Sequence, residues 1–172
     1  RSVDELADAF ARCQSEALAA FANDGLYAEQ LVASPRHIEV QIIGDGSGAV
    51  SHIWERECSL QRRHQKLVEI APSPTLDPAM RTAMCDAAVR LGKEINYAGL
   101  GTIEFLLDTN ANEFFFIEAN ARLQVEHTVT EEVTGIDLVR AQIEVAGGAS
   151  LHDLGLQQAD VPDPRGYAIQ LR

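Results

Sequence analysis

The 172-residue chain reads as an α+β fold, a mostly antiparallel sheet flanked by helices. Three observations lead there. HIEVQIIGD (37 to 45) and AVSHIWE (49 to 55) flank the turn DGSG with alternating polarity, as a hairpin does. GTIEFLLD (101 to 108) and EFFFIEAN (113 to 120) flank TNAN in the same way. Helical periodicity opens the chain and returns after residue 75 and after residue 127.

Taken in order, Ser2 with Glu5 three residues on forms a capping-box pattern, and the helix it starts runs to about Phe21. Asn23-Asp24-Gly25 ends it. LYAEQLV (26 to 32) has the composition of a short strand, broken by Pro35. After the first hairpin, RECSLQRRHQK (56 to 66) is polar and reads as irregular, and KLVEIAP as a strand. Thr75 begins a helix with Pro78 in its first turn, burying Met80, Met84, Ala87, Ala88, Leu91 and Ile95. Gly99 and Gly101 stop it. Beyond the second hairpin, one helix carries Leu138, Val139, Ile143 and Val145 to Gly147-Gly148, and YAIQLR closes the chain as a strand.

A net charge of -12 excludes nucleic acid as a general partner, since phosphate backbones are bound by clustered Lys and Arg. No apolar run approaches the ~18 residues of a membrane span. Cys13, Cys58 and Cys85 are odd in number with no CxxC spacing, which fits core thiols in a reducing, cytoplasmic setting. The local cluster Arg62, Arg63, His64 and Lys66 is the one basic patch that could meet an anion.

From Glu118 the even positions are all polar: Glu118, Asn120, Arg122, Gln124 and Glu126. Residues two apart share a strand face. Phe114 to Ile117, apolar on both faces, predicts a central strand. Folding the hairpin about Ala111 sets Glu104 opposite Glu118, with Cβ atoms ~5 Å apart. Two carboxylates that close call for a cation, and Asn120 adds a third oxygen: a set suited to Mg²⁺ that also touches substrate phosphates. No Walker A and no GxGxxG is present.

ERECSLQRRHQKLVEIAPSP, GTIEF and FIEANARLQVEHTVTE resemble the biotin carboxylase component of biotin-dependent acyl-CoA and pyruvate carboxylases, from about residue 2 to Arg172. The resemblance implies the ATP-grasp fold and a ligase that makes carboxyphosphate from ATP and bicarbonate, then carboxylates protein-bound biotin. It implies Glu104, Glu118 and Asn120 as ligands of Mg²⁺ or Mn²⁺. Glu29, Gln30, Leu31 and Val32 match the adenine hinge, and His37, Gln61 and His64 match residues around the ribose and phosphates. Lys66, Arg122, Gln124 and Val125 match the bicarbonate site, Glu126 the general base, and Arg172 the arginine that stabilises the biotin enolate. It further implies a biotin carboxyl carrier domain and a carboxyltransferase as partners, in an oligomeric parent.

Arg122 and Glu126 lie about 13 Å apart in a fully extended chain, so the chain must bend between them for both to reach bicarbonate. Gln30 stands where many relatives carry Lys. The family's glycine-rich lid is not among these residues, so the chain is expected to be a fragment with little ATP turnover of its own. Residues 1–31 would be the end of a lid subdomain, and 32–172 the C-terminal ATP-grasp subdomain running into the region beyond. The rival readings are another ATP-grasp ligase, such as carbamoyl-phosphate synthase, and a non-catalytic Mg-nucleotide module.

Overall fold

A computed structural model describes residues 3–63 and 65–172, in two compact units that divide at Val32/Ala33. The first holds a 3-10 turn, Val3–Glu5, and helix α1, Leu6–Phe21, which buries none of its residues. Ser2 of the capping-box pattern lies outside the described residues. The strand expected at 26 to 32 does not form: the segment is irregular and pairs with no described strand. Strand composition alone, without a partner ladder, does not make a strand.

The second unit is built on β1 (Arg36–Asp45), β2 (Val50–Arg62), β3 (Gln65–Ala71), β4 (Ala98–Asp108), β5 (Glu113–Asn120) and β6 (Ala168–Leu171). They form one antiparallel sheet in the order β5-β4-β1-β2-β3-β6. Helix α2 (Pro78–Glu94) covers one face, where Ile38, Val40, Ile42, Ile103, Phe105 and Leu107 meet Met80 and Met84. Helices α3 (His127–Thr134) and α4 (Leu138–Ala146) cover the other, through Ile43, Ile53 and Leu100 against Leu138 and Ala141, and Ala71 against Val129 and Val133. Ile42 and Ile43 are neighbours in sequence yet belong to different cores, as strand alternation dictates.

Several expectations are corrected. RECSLQRRHQK is not irregular: β2 continues to Arg62 and β3 resumes at Gln65, with bulges between Glu57 and Gln61. The polarity of Arg56 and Glu57 marks a buried network rather than a loop; neither is more than 5% exposed. Helix α2 starts at Pro78, three residues after the expected Thr75, with Asp77 accepting from the Met80 N–H at 2.9 Å as its cap. It also buries Cys85 at its middle and Gly92 near its end, whereas Leu91 and Ile95 are exposed. The absent side chain of Gly92 brings the helix against Val50 and Ile42. The single last helix is two, parted at Gly135 (φ 75°), with Asp137 capping α4 on Arg140 N. Val139 and Ile143 of α4 face outward, while Leu138, Ala141 and Val145 are buried. Cys58 and Cys85 are buried, but Cys13 is exposed. Among the described residues no helix is long and apolar enough to cross a membrane.

Strand β5 is an edge strand, not a central one; Phe114 packs on the core while Phe116 and Ile117 are exposed. Glu104 does pair with Glu118, but not by simple symmetry. Near the turn, Phe105 pairs with Phe116 and Leu107 with Phe114, a register that would set Glu104 against Ile117. A bulge at Ile117 adds one residue and moves Glu118 to the face of Glu104.

Candidate functional site

Registers place Glu118, Glu104, Glu39 and Arg56 in one row across β5, β4, β1 and β2. Arg56 is fully buried and every arm of its guanidinium is used. Nε donates to Glu39 (2.5 Å), Nη1 to Gln41 and Thr130 (2.9 Å each), and Nη2 to Thr102 (3.3 Å). Burial opposes its charge, but Glu39 beside it more than compensates and raises its pKa.

Lys66 joins this row to the loop after β5. Its Nζ donates to Glu39 (2.5 Å), Glu104 (2.9 Å) and Glu126 (2.8 Å), with the side chain 13% exposed. Burial works against the ammonium, yet Glu39 above all, with Glu126, raises its pKa. Glu104 is likewise opposed by burial, but hydrogen bonds from His37 and Lys66 hold its pKa at about 2. Gln61 Nε2 meets His37 Nδ1 at 2.7 Å while His37 Nε2 meets Glu104 Oε2 at 2.5 Å, so the amide donates to the ring and the ring to the carboxylate. Asn120 Nδ2 donates to Glu104 (3.0 Å) and Glu118 (2.9 Å), so one amide nitrogen touches both acids.

The bend expected between Arg122 and Glu126 is present. Strand β5 ends at Asn120, Arg122 N turns back to Asn120 O (2.8 Å), and Glu126 becomes the N-cap of α3. The polar row therefore continues as a strand face only to Asn120. Burial opposes ionisation of Glu126, but Lys66 lowers its pKa and the helix N-terminus favours its charge. Arg172 closes the far side, Nη2 donating to Glu126 (2.5 Å) and Nε lying 2.8 Å from Glu69.

One open cleft of about 540 Å³ is lined by His37, Gln61, Lys66, Glu104, Glu118 and Asn120, and by Arg122, Gln124, Val125, Glu126 and Arg172. Gln124 is anchored by Nε2 to Glu104 (3.2 Å), and its Oε1 is buried with no partner among the described residues. Arg122 is exposed, and its side chain donates to Leu123 O (3.3 Å). His64 lies outside the described residues. Glu29, Gln30, Leu31 and Val32 lie in the unit that ends at Val32; the first three are exposed and Val32 is buried. Glu104, Glu118 and Asn120 line this one cleft; the Asn120 amide turns its nitrogen to both acids here, and the side-chain oxygens of the three are of the type that a hard divalent cation takes.

Sequence reading missed Arg56 and Glu69. Glu69 had a signal: a lone acid inside the apolar run KLVEIA, and charged residues are almost never fully buried without a partner. Arg56 had none, because its segment read as a loop.

The family described as carbamoyl-phosphate synthase L chain, ATP binding domain, matches residues 1–154. Pyruvate carboxylase of Bacillus subtilis (strain 168) is 52% identical over 177 residues, covering all of this chain and 15% of that protein. The biotin carboxylase–beta-gamma-ATP complex from Campylobacter jejuni superposes with a TM-score of 0.88 at 45% identity, over all of this chain and 37% of that one. The biotin carboxylase domain dimer of Hydrogenobacter thermophilus 2-oxoglutarate carboxylase, solved with MgADP, ADP and bicarbonate, gives 0.87 at 44% identity, with the same coverage.

Proposed function

We propose, on the premise that the chain belongs to the carbamoyl-phosphate synthase L chain ATP-binding domain family, that its residues form part of an ATP-dependent biotin carboxylase. The α+β fold is the ATP-grasp fold, shared along the whole chain with biotin carboxylase domains. The proposed enzyme is a ligase that forms carboxyphosphate from ATP and bicarbonate and carboxylates carrier-bound biotin. The observation that carries this reading is the convergence of an oxygen-donor triad, three cations and a buried carboxylate on one cleft.

In this reading Glu104, Glu118 and Asn120 hold Mg²⁺, or Mn²⁺ in its place. The bound ion supplies charge neutralisation to the ATP phosphates. His37, Gln61 and His64 approach ribose and phosphates, and the Glu29–Val32 backbone takes adenine. Arg122 grips bicarbonate through two N–H groups while Lys66 adds a point charge. The Val125 N–H gives direction, and the free Gln124 Oε1 accepts the bicarbonate hydroxyl or a water. Glu126, ionised at neutral pH, accepts the bicarbonate proton. Arg172 then faces the biotin ring oxygen as negative charge grows there.

Residues 1–31 would end a lid subdomain and 32–172 form the catalytic floor. A biotin carboxyl carrier domain and a carboxyltransferase would complete the parent enzyme, an oligomer in a reducing cytoplasm; the free state of all three cysteines supports that compartment. The test is ATP cleavage by the full-length protein. It should require bicarbonate, rise with free biotin, and fall about 10²–10⁴-fold in Glu126→Gln. Bicarbonate-dependent cleavage indifferent to biotin would favour another ATP-grasp ligase and overturn the reading.

A further inference from the structure

Glu69, like Glu39, is a carboxylate beside the site to which the proposed chemistry gives no role. Its side chain is 0% exposed, and neither oxygen meets hydrogen-bond geometry with any described residue. It lies on β3 opposite Gln170, on the face where Ala71, Val129 and Val133 form a small apolar core. Among the described residues its one ion-pair contact is Arg172 Nε at 2.8 Å. The same guanidinium donates from Nη2 to Glu126 at 2.5 Å, while the Arg172 backbone N–H binds Leu67 O at 2.9 Å. The guanidinium is thus bracketed along two edges, with Glu69 behind it and Glu126 in front. Removing Glu69 leaves a side chain 35% exposed to swing about its single bond to Glu126.

We propose that Glu69 is a positioning residue that fixes the plane of the Arg172 guanidinium, so that the arginine meets the biotin ring in one orientation. This rests on the biotin carboxylase reading. Burial raises the Glu69 pKa, with Glu126 and Glu39 adding to it against Arg172 and Lys66. An acid that the fold disfavours in its charged form, and that anchors no structural hydrogen bond, is kept for what it does to its neighbour.

The experiment is a double-mutant cycle in the intact carboxylase: E69Q and R172M, singly and together, with free biotin as acceptor. E69Q should lower the kcat of biotin carboxylation about tenfold, as a small misplacement of a charge-stabilising group does. KM for ATP should stay within about twofold, and the melting temperature should hold or rise, because a neutral amide replaces a disfavoured charge. In the R172M background E69Q should change kcat less than about twofold, since the two act as one unit. An equal loss in both backgrounds overturns the positioning role, and so does a melting temperature lowered by more than about 5 °C. Absence of biotin-stimulated ATP cleavage in the unsubstituted enzyme is a separate result: it refutes the functional reading and takes this inference with it.

Discussion

Replacing Lys66 by Met removes the cation that three buried acids share. The Nζ sits 2.5, 2.9 and 2.8 Å from carboxylate oxygens of Glu39, Glu104 and Glu126, whose side chains are 0%, 5% and 3% exposed. At an effective dielectric of ~20, a single unit pair near 2.8 Å is worth about 6 kcal/mol before desolvation. The mutant need not lose that much, because one carboxyl can take up a proton instead. Protonating an acid of ordinary pKa 4.5 at pH 7 costs about 3 kcal/mol, which bounds the loss and agrees with the ~3–5 kcal/mol typical of a broken buried pair. The sign follows from linkage. In the unsubstituted protein the raised Lys66 pKa gives a contribution fully present below pH 10.5 and lost only as pH rises through the folded value. The lowered pKa values of Glu104 and Glu126 give contributions present above about 4.5 and lost only as pH falls through the folded values. Between pH 5.5 and 7.5 those three contributions are therefore constant, whereas the mutant holds one extra proton when folded. The destabilisation should grow by about 1.4 kcal/mol per pH unit, from about 1 kcal/mol at pH 5.5 to about 4 kcal/mol at pH 7.5. Urea denaturation with a metal chelator, read by the fluorescence of Trp54, the single tryptophan, measures it. A loss independent of pH, or under about 1 kcal/mol at pH 7.5, refutes the account.

Two further outcomes are expected. Glu118 is exposed, so Glu118→Gln should change stability by less than about 0.5 kcal/mol while weakening Mg-nucleotide binding at least about tenfold by calorimetry; an unchanged Kd would remove it from the metal site. Gly44→Ala places a Cβ 2.2 Å from the Tyr97 carbonyl oxygen, a backbone atom that cannot step aside, so a thermal melt should show a loss of at least about 2 kcal/mol, and an unchanged melting temperature would contradict that packing.

What could be read from the residues was whatever follows from local period. Both hairpins, the place of Pro78 in the first turn of α2 and the closing strand were legible because turn and helix-start chemistry act over a few residues. The acid pair at 104 and 118 was legible too, although the symmetry that located it does not hold near the turn. Arg56 was illegible for the opposite reason: its partners Glu39, Gln41, Thr102 and Thr130 come from three other elements, and no local pattern records them. The edge position of β5 was misread because an apolar strand shows how much it could bury, not which neighbours it has. The split at Gly135 was missed because a positive φ leaves no trace in periodicity.

The bulge at Ile117 makes one short strand serve two masters: Phe114 and Phe116 point to the side of Phe105, and Glu118 and Asn120 to the side of Glu104. A single substitution along it leaves that two-sided arrangement of the backbone in place. A one-codon deletion there does not, because it would send the ligand pair toward the oily side of the sheet. The length of this segment therefore matters as much as its spelling.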